Sequence, residues 1–246
     1  NFEIANRLFA HVFSVFKIDN KQIYTAGFSG GSRLASSIAV LTNSIQGVIG
    51  CGAGFANQAR VFPSNSIKFS YVGLVGDEDM NYHEMLDLKL WLNKINIENE
   101  LFTYEDGHRW PHSKQIYRAL GWLELQSYKK GLRNINKNII NKLYTNDIKY
   151  ANKIEQEQPY NSVVEYSRIL KSYAKYYNLD SISEKVLFIK KRRDFKKEVK
   201  LRKKIKSQEV KIFNLLHGKF KSELTYSSPQ IDSEWWGKEI NKLDRT

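Results

Sequence analysis

The chain has 246 residues, of which 41% are hydrophobic and 13% aromatic, enough apolar material to bury a core and to exclude wholesale disorder. No apolar stretch approaches the roughly 18–20 residues that cross a bilayer, and a single cysteine, Cys51, excludes an internal disulfide. The net charge of +13 is unevenly spread: residues 1–125 carry 11 Lys and Arg against 12 Asp and Glu, and residues 126–246 carry 28 against 14.

The chain opens on Asn1 rather than Met and runs at once into a helical pattern, IANRLFAHVFSVFKI, so upstream sequence is expected. The absence of a leader therefore says little about location, and secreted, periplasmic and cytoplasmic placements all stay open. QIYTAGF (22–28) is rich in β-formers and ends at glycine, which predicts a strand. SRLASSIAVLT (32–42) predicts a helix with Leu34, Ala35, Ile38 and Ala39 on one face. GVIGCGAG (47–54) and KFSYVGLVG (68–76) read as further strands, YHEMLDLKLWLNKI (82–95) as an amphipathic helix, ENELFTYE (98–105) as a fourth strand and SKQIYRALGWLELQSYK (113–129) as a closing helix. Strands this apolar along their whole length, spaced by helices, imply a parallel sheet covered on both faces. In such sheets the chemistry lies in loops beyond the carboxyl ends of the strands.

The back half offers no strand. Segments 134–158, 160–178, 181–206 and 207–224 show helical spacing, with breaks expected at Pro159 and at Asn178–Ser183. The helices around Pro159 form one pair of the tetratricopeptide kind, without a visible repeat. The run KKRRDFKKEVKLRKKIK (190–206) is the most basic stretch, and SSPQIDSEWWGKEINKL (227–243) suggests another helix.

Three loops carry candidate chemistry. GFSGG (27–31) fits G-x-S-x-G, a strand-to-helix turn that lifts a serine hydroxyl clear of the sheet; the competing reading is a chance Gly/Ser-rich turn. Gly27 and Gly31 keep the flanks small, and the amino end of the following helix favours developing negative charge. VGDEDMNY (75–82) places Asp77, Glu78 and Asp79 after a strand, where a carboxylate could orient a histidine. EDGHRWPH (105–112) offers His108 behind a glycine, with His112 as a competitor, whereas His11, His83 and His217 have no such placement. Serine, acid and histidine occur in the order that an α/β-hydrolase scaffold requires.

Residues 1–128 thus resemble the carboxyl-terminal half of an α/β-hydrolase catalytic domain, and GFSGGSRLA with GHRWP is similar to the esterase and polyhydroxybutyrate-depolymerase-like branch. The resemblance implies a serine hydrolase with Ser29 as nucleophile, His108 as general base and Asp79 as acid, Asp77 being the fallback. It implies an oxyanion donor at the Gly30 amide and an acyl substrate, small or polymeric. The family's first strands and the loop bearing its second oxyanion amide have no counterpart in these residues, so the chain is expected to be part of a longer hydrolase and weakly active alone. Little room for an inserted lid remains between Ser29, Asp79 and His108, and Phe55, Tyr82 and Trp110 are candidates for the mouth of the site. No metal spacing and no phosphate-binding glycine loop occur, so no cofactor is expected.

Residues 129–246 read as a mainly helical accessory or interaction region. An accessory domain is favoured, and a protein partner is the next reading, with the tyrosine-rich EYSRILKSYAKYYNL suggestive. Nucleic acid or an anionic membrane is disfavoured because Asp194 and Glu198 interleave with the basic run. Oligomeric state is not readable. The alternative for the whole chain is a catalytically silent hydrolase-like scaffold whose helical tail binds a protein.

Overall fold

The computed structural model describes residues 2–225 and 231–243, so residues 227–230 of the last expected helix lie outside the described residues. The chain divides into two compact units, Asn1–Thr145 and Asn146–Thr246.

In the first unit, α1 (Phe2–Val15) precedes β1 (Tyr24–Phe28), α2 (Gly30–Thr42), β2 (Gly47–Cys51), a short 3-10 turn (Ala59–Val61), β3 (Ser70–Gly76), α3 (Tyr82–Lys94), β4 (Asn99–Tyr104) and α4 (Ser113–Lys129). The four strands form one sheet in the order β1-β2-β3-β4, all parallel, with Ala26 opposite Ile49, Ile49 opposite Val72 and Val72 opposite Glu100. Every residue of β2 and β3 is buried, the burial expected of central parallel strands covered on both faces.

Alternation along the strands sorts the core into two layers. Val48, Tyr71, Val75 and Leu101 pack with Ala39 of α2 and Met85, Leu88 and Leu92 of α3. Ile49, Cys51, Val72, Leu74 and Phe102 face Ala119, Trp122 and Leu123 of α4 on the other side. The inner face of α2 is small: Ser32, Ala35, Ser36 and Ala39 are buried, which brings that helix close to the sheet, and Asn43 in a left-handed conformation closes it. This arrangement is a four-stranded parallel sheet with helices packed on both faces.

Helix α5 (Lys137–Ile154) begins in this unit. A Cβ on Gly121 of α4 would come within 2.5 Å of Leu143 Cδ2, so the glycine admits the first turns of α5. The division into compact units falls inside α5, after Thr145.

The second unit holds the rest of α5 with α6 (Pro159–Tyr173), α7 (Asp180–Lys191), α8 (Arg193–Leu224) and α9 (Ser233–Leu243). Pro159 stands in the first turn of α6, where its missing N–H costs nothing. The sequence expectation of separate helices over 181–206 and 207–224 is corrected: the break is at Arg192, which is extended at φ −61° and ψ 148°, and α8 then runs unbroken for 32 residues. No proline interrupts 193–224, and the helix runs through Ser207 and Gly218, residues at which a cap could have formed.

A charged cluster lies inside this unit. Arg168, its side chain 4% exposed, donates to Asp147 Oδ2 at 2.9 Å and to Glu165 Oε2 at 2.6 Å. The Tyr173 hydroxyl donates to the same Asp147 oxygen at 2.7 Å. Removing one partner from a buried pair leaves an uncompensated charge, which costs roughly 3–5 kcal/mol. Arg168→Ala is therefore expected to lower the stability of the second unit by about that amount, read as a shift in its urea unfolding midpoint; a shift too small to resolve would show that Asp147 and Glu165 find other partners.

Candidate active site

β1 delivers Ser29 directly into the amino end of α2. Ser29 is left-handed, with φ 51° and ψ −118°, a conformation that non-glycine residues adopt only under external constraint. The constraint is visible. The Ser29 amide donates to the Cys51 carbonyl at 2.8 Å, and the Ser29 carbonyl accepts from the amides of Ser32 and Arg33 at 3.0 and 3.2 Å. Doubling back this tightly carries the Gly31 carbonyl to within 2.1 Å of where a Cβ on Gly27 would sit, so only glycine fits at 27. Gly31, for which the sequence suggested the same demand, has open space at its Cβ position.

Two more strand ends bring the partners. His108, in the loop after β4, places Nε2 3.0 Å from Ser29 Oγ and Nδ1 2.9 Å from both carboxylate oxygens of Asp79, in the loop after β3. An ionised carboxylate only accepts, so Nδ1 carries the proton and Nε2 is left to accept from the serine hydroxyl. The Asp79 side chain is 1% exposed and the imidazole 22%. Asp79 Oδ1 also accepts the Asn81 amide at 2.8 Å, and the Asn81 side-chain amide donates to the Gly52 carbonyl at 2.7 Å.

Asp77 turns elsewhere: its Oδ1 accepts the Asp106 amide at 3.2 Å, bracing the histidine loop rather than the imidazole. His112 is largely exposed and lies 3.6 Å from Asp106 Oδ2, and the His83 ring meets Tyr82 edge-on. The Gly30 amide is at the first turn of α2, where backbone N–H groups lack partners within the helix.

Several residues that shape the site escaped sequence reasoning. Asp106 caps its own loop, accepting the Gly107 amide at 2.8 Å and pairing with Arg109 at 2.8 Å; a D-G pair after a strand is its sequence signal. Gly76 lets that loop cross β3, since a Cβ there would stand 2.0 Å from the Asp106 carbonyl oxygen. Arg33 donates to the Phe55 carbonyl at 2.6 Å and to Glu84 at 2.7 Å, while Glu84 accepts the Gly54 amide at 3.0 Å, so one ion pair pins the loop after β2. Phe55, one of the candidates for the mouth, is a core residue packed on Phe69 and Tyr71. Trp110 is exposed beside Phe28, whose ring also lies 4.8 Å from the imidazole. Among the described residues no group of three His, Cys, Asp or Glu side chains is arranged to hold a metal ion.

A serine on a left-handed turn above a parallel sheet, joined through an imidazole to a carboxylate from the next loops, can give up its hydroxyl proton and act as a nucleophile. No protein-family model matches the chain, and no curated protein matches it either. Among solved structures it is similar to the S-formylglutathione hydrolase of Staphylococcus aureus, at 17% identity over 50% of this chain and 59% of that one, with a TM-score of 0.42. It is likewise similar to the fluorophosphonate-binding serine hydrolase F of Staphylococcus aureus (15%, 50% and 62%, TM-score 0.41) and to the Bacillus cereus carboxylesterase (19%, 49% and 57%, TM-score 0.41). The chain thus spans about three fifths of the length of each of these proteins.

Gly52 yields a test of the geometry. It is left-handed at φ 62°, and a Cβ there would come within 2.8 Å of Phe28, 3.0 Å of Asp79 Oδ2 and 3.3 Å of His108 Cε1. Gly52→Ala is expected to push the carboxylate and imidazole apart, seen as a shift or loss of the downfield Nδ1 proton resonance; an unchanged resonance would mean the loops yield freely. Cys51 yields another. Burial pushes its thiol from 9.0 up to about 12, so the folded state holds the proton longer than the unfolded one. Its contribution is complete below about pH 9 and lost as pH rises toward 12. Iodoacetamide should leave Cys51 unmodified in folded protein at pH 8 to 9 and alkylate it rapidly once denaturant unfolds the chain.

Proposed function

We propose that residues 1–145 form the catalytic part of a serine hydrolase that cleaves esters, or related acyl bonds, through an acyl-enzyme. The observation that carries this reading is the single imidazole bonded on one side to Ser29 Oγ and on the other to a buried Asp79 carboxylate. In this reading Ser29 attacks the acyl carbon as His108 Nε2 takes the hydroxyl proton, and Asp79 stabilises the imidazolium that results. The same proton is then given to the departing alcohol. Water attacks the acyl-enzyme by the reverse route, His108 again acting as base, and the acid product leaves Ser29 free.

The Gly30 amide, at the positive end of α2, is assigned as one donor to the oxyanion. An oxyanion site short of a donor turns over roughly a hundredfold to a thousandfold more slowly, so residues 1–246 alone are expected to hydrolyse activated esters slowly while still reacting with irreversible acyl-site probes. The open flank beside Trp110 and Phe28 supports small or polymeric acyl substrates.

A fluorophosphonate probe tests the assignment directly. Ser29→Ala should abolish labelling, and Asp79→Asn should slow it by about a thousandfold or more, whereas Asp77→Asn should leave the rate within a few fold of wild type. Labelling that survives Ser29→Ala, or that depends on Asp77 rather than Asp79, would overturn these roles and favour a silent scaffold.

A further inference from the structure

Helix α8 is long and basic, and one face of its second half is exposed. Phe213 is 64% exposed, Phe220 52% and Leu224 58%. With Val210 and His217 they recur every three or four residues, which at about 100° per residue draws one continuous stripe along the helix. The His217 ring stacks on Phe213 at 5.3 Å, extending the flat apolar surface. Leu201 and Ile205 add exposed aliphatic surface nearer the start of the helix. Contiguous exposed apolar surface of this kind marks a place of contact.

The flanks and back of the stripe carry Lys200, Lys203, Lys204, Lys211 and Lys221. Across α8 there are 11 Lys and Arg against 4 Asp and Glu. Three of the acids sit toward the ends and are engaged locally. Asp194 pairs with Arg192, Glu198 with Arg202, and Glu223 with Lys219 and the Trp236 indole. Lys203, Lys204, Lys211 and Lys221 make no ion pair among the described residues. The interleaved Asp194 and Glu198 that spoke against a membrane in the sequence therefore neutralise only the first turns.

We propose that α8 lies on an anionic lipid surface, with Phe213, Phe220 and Leu224 entering the headgroup–acyl boundary and the lysines held by lipid phosphates and carboxylates. A basic amphipathic helix with aromatic and aliphatic residues on one face meets the requirements for lying in that plane, and lysine stems are long enough to reach back to the headgroups from the sides. Other occupants match one half of the pattern only. A second copy would set two strongly positive helices against each other. A nucleic acid would cover the lysines and leave the phenylalanines in water. Anionic lipid supplies negative charge and apolar depth together.

The test uses the full chain and sedimentation with vesicles, either of phosphatidylcholine alone or of about three parts phosphatidylcholine to one of phosphatidylserine. Wild type should bind the mixed vesicles, weaken as salt is raised, and ignore the neutral ones. Phe213→Ser with Phe220→Ser should lower affinity at least about tenfold, and Lys203→Gln, Lys204→Gln and Lys211→Gln together should flatten the salt dependence. A Phe213→Trp chain keeps the apolar contact and should shift its emission to the blue on mixed vesicles, a readout that does not depend on how the serine variant folds. Absence of vesicle binding, binding indifferent to the phenylalanines, or a blue shift that appears only on self-association or with mixed-sequence DNA would each overturn the proposal.

Discussion

The site rests on a hydrogen-bond ladder that continues one step past the strands. The Ser29 amide hangs from the Cys51 carbonyl, the Gly52 amide from the Leu74 carbonyl, and the Asp77 amide from the Tyr104 carbonyl. Each loop therefore leaves the sheet at a height set by the neighbouring strand rather than by its own sequence. The serine, the Gly52 turn, the acidic loop and the histidine loop rise in step, and a further bond from the Glu78 amide to the Asp106 carbonyl ties the last two together. An imidazole is a rigid spacer of fixed width, so an error of about 1 Å in any of these heights would break the chain of bonds.

What was legible in the sequence was what local chemistry encodes. Glycine before a serine, apolar runs ending in polar loops and a glycine ahead of His108 are statements about neighbouring residues. They led to Ser29, His108 and an acidic loop with the strands around them, the choice of Asp79 within that loop coming from the family resemblance. The acidic loop was ambiguous because Asp77 and Asp79 lie on the same turn, two residues apart. Their separation comes only from which one the His108 loop meets, and that depends on Gly76 letting the loop pass. Asn81, Gly52 and the Arg33–Glu84 pair were not legible, since they depend on groups brought near by the sheet; Asp106, which bonds the adjacent Gly107 amide, carried a local D-G signal that went unread. The place of Phe55 stayed open for a related reason. A loop aromatic looks the same in sequence whether it turns outward or, like Phe55, into the core.

The second unit solves a different problem. Its segments are rich in Lys, Asn and Tyr, and its interior combines apolar side chains such as Val163, Ile169, Val186 and Ile189 with buried polar ones. Arg168 and Asp147 are used as interior packing, and the Tyr166 hydroxyl bridges Asn152 and Glu155 at 2.6 and 2.9 Å. Burial first, and then the adjacent Asp147 carboxylate, hold the Tyr173 phenol well above its ordinary range, so it stays a donor throughout the pH range of cells. Directional groups of this kind fix which faces of α5 and α6 meet, whereas interchangeable aliphatic residues would leave the register loose. The apolar surface that is not needed inside is carried instead on the outer stripe of α8.

The first rung of the ladder bears on the choice of donor as well as on position. Because the amide of residue 29 is spent on the carbonyl of Cys51, the next main-chain N–H is that of Gly30, in the first turn of α2. In the proposed chemistry a planar acyl group must turn its oxygen toward that amide, so the backbone sets the direction of the carbonyl. Which of its two faces meets the hydroxyl is left to whatever holds the two substituents.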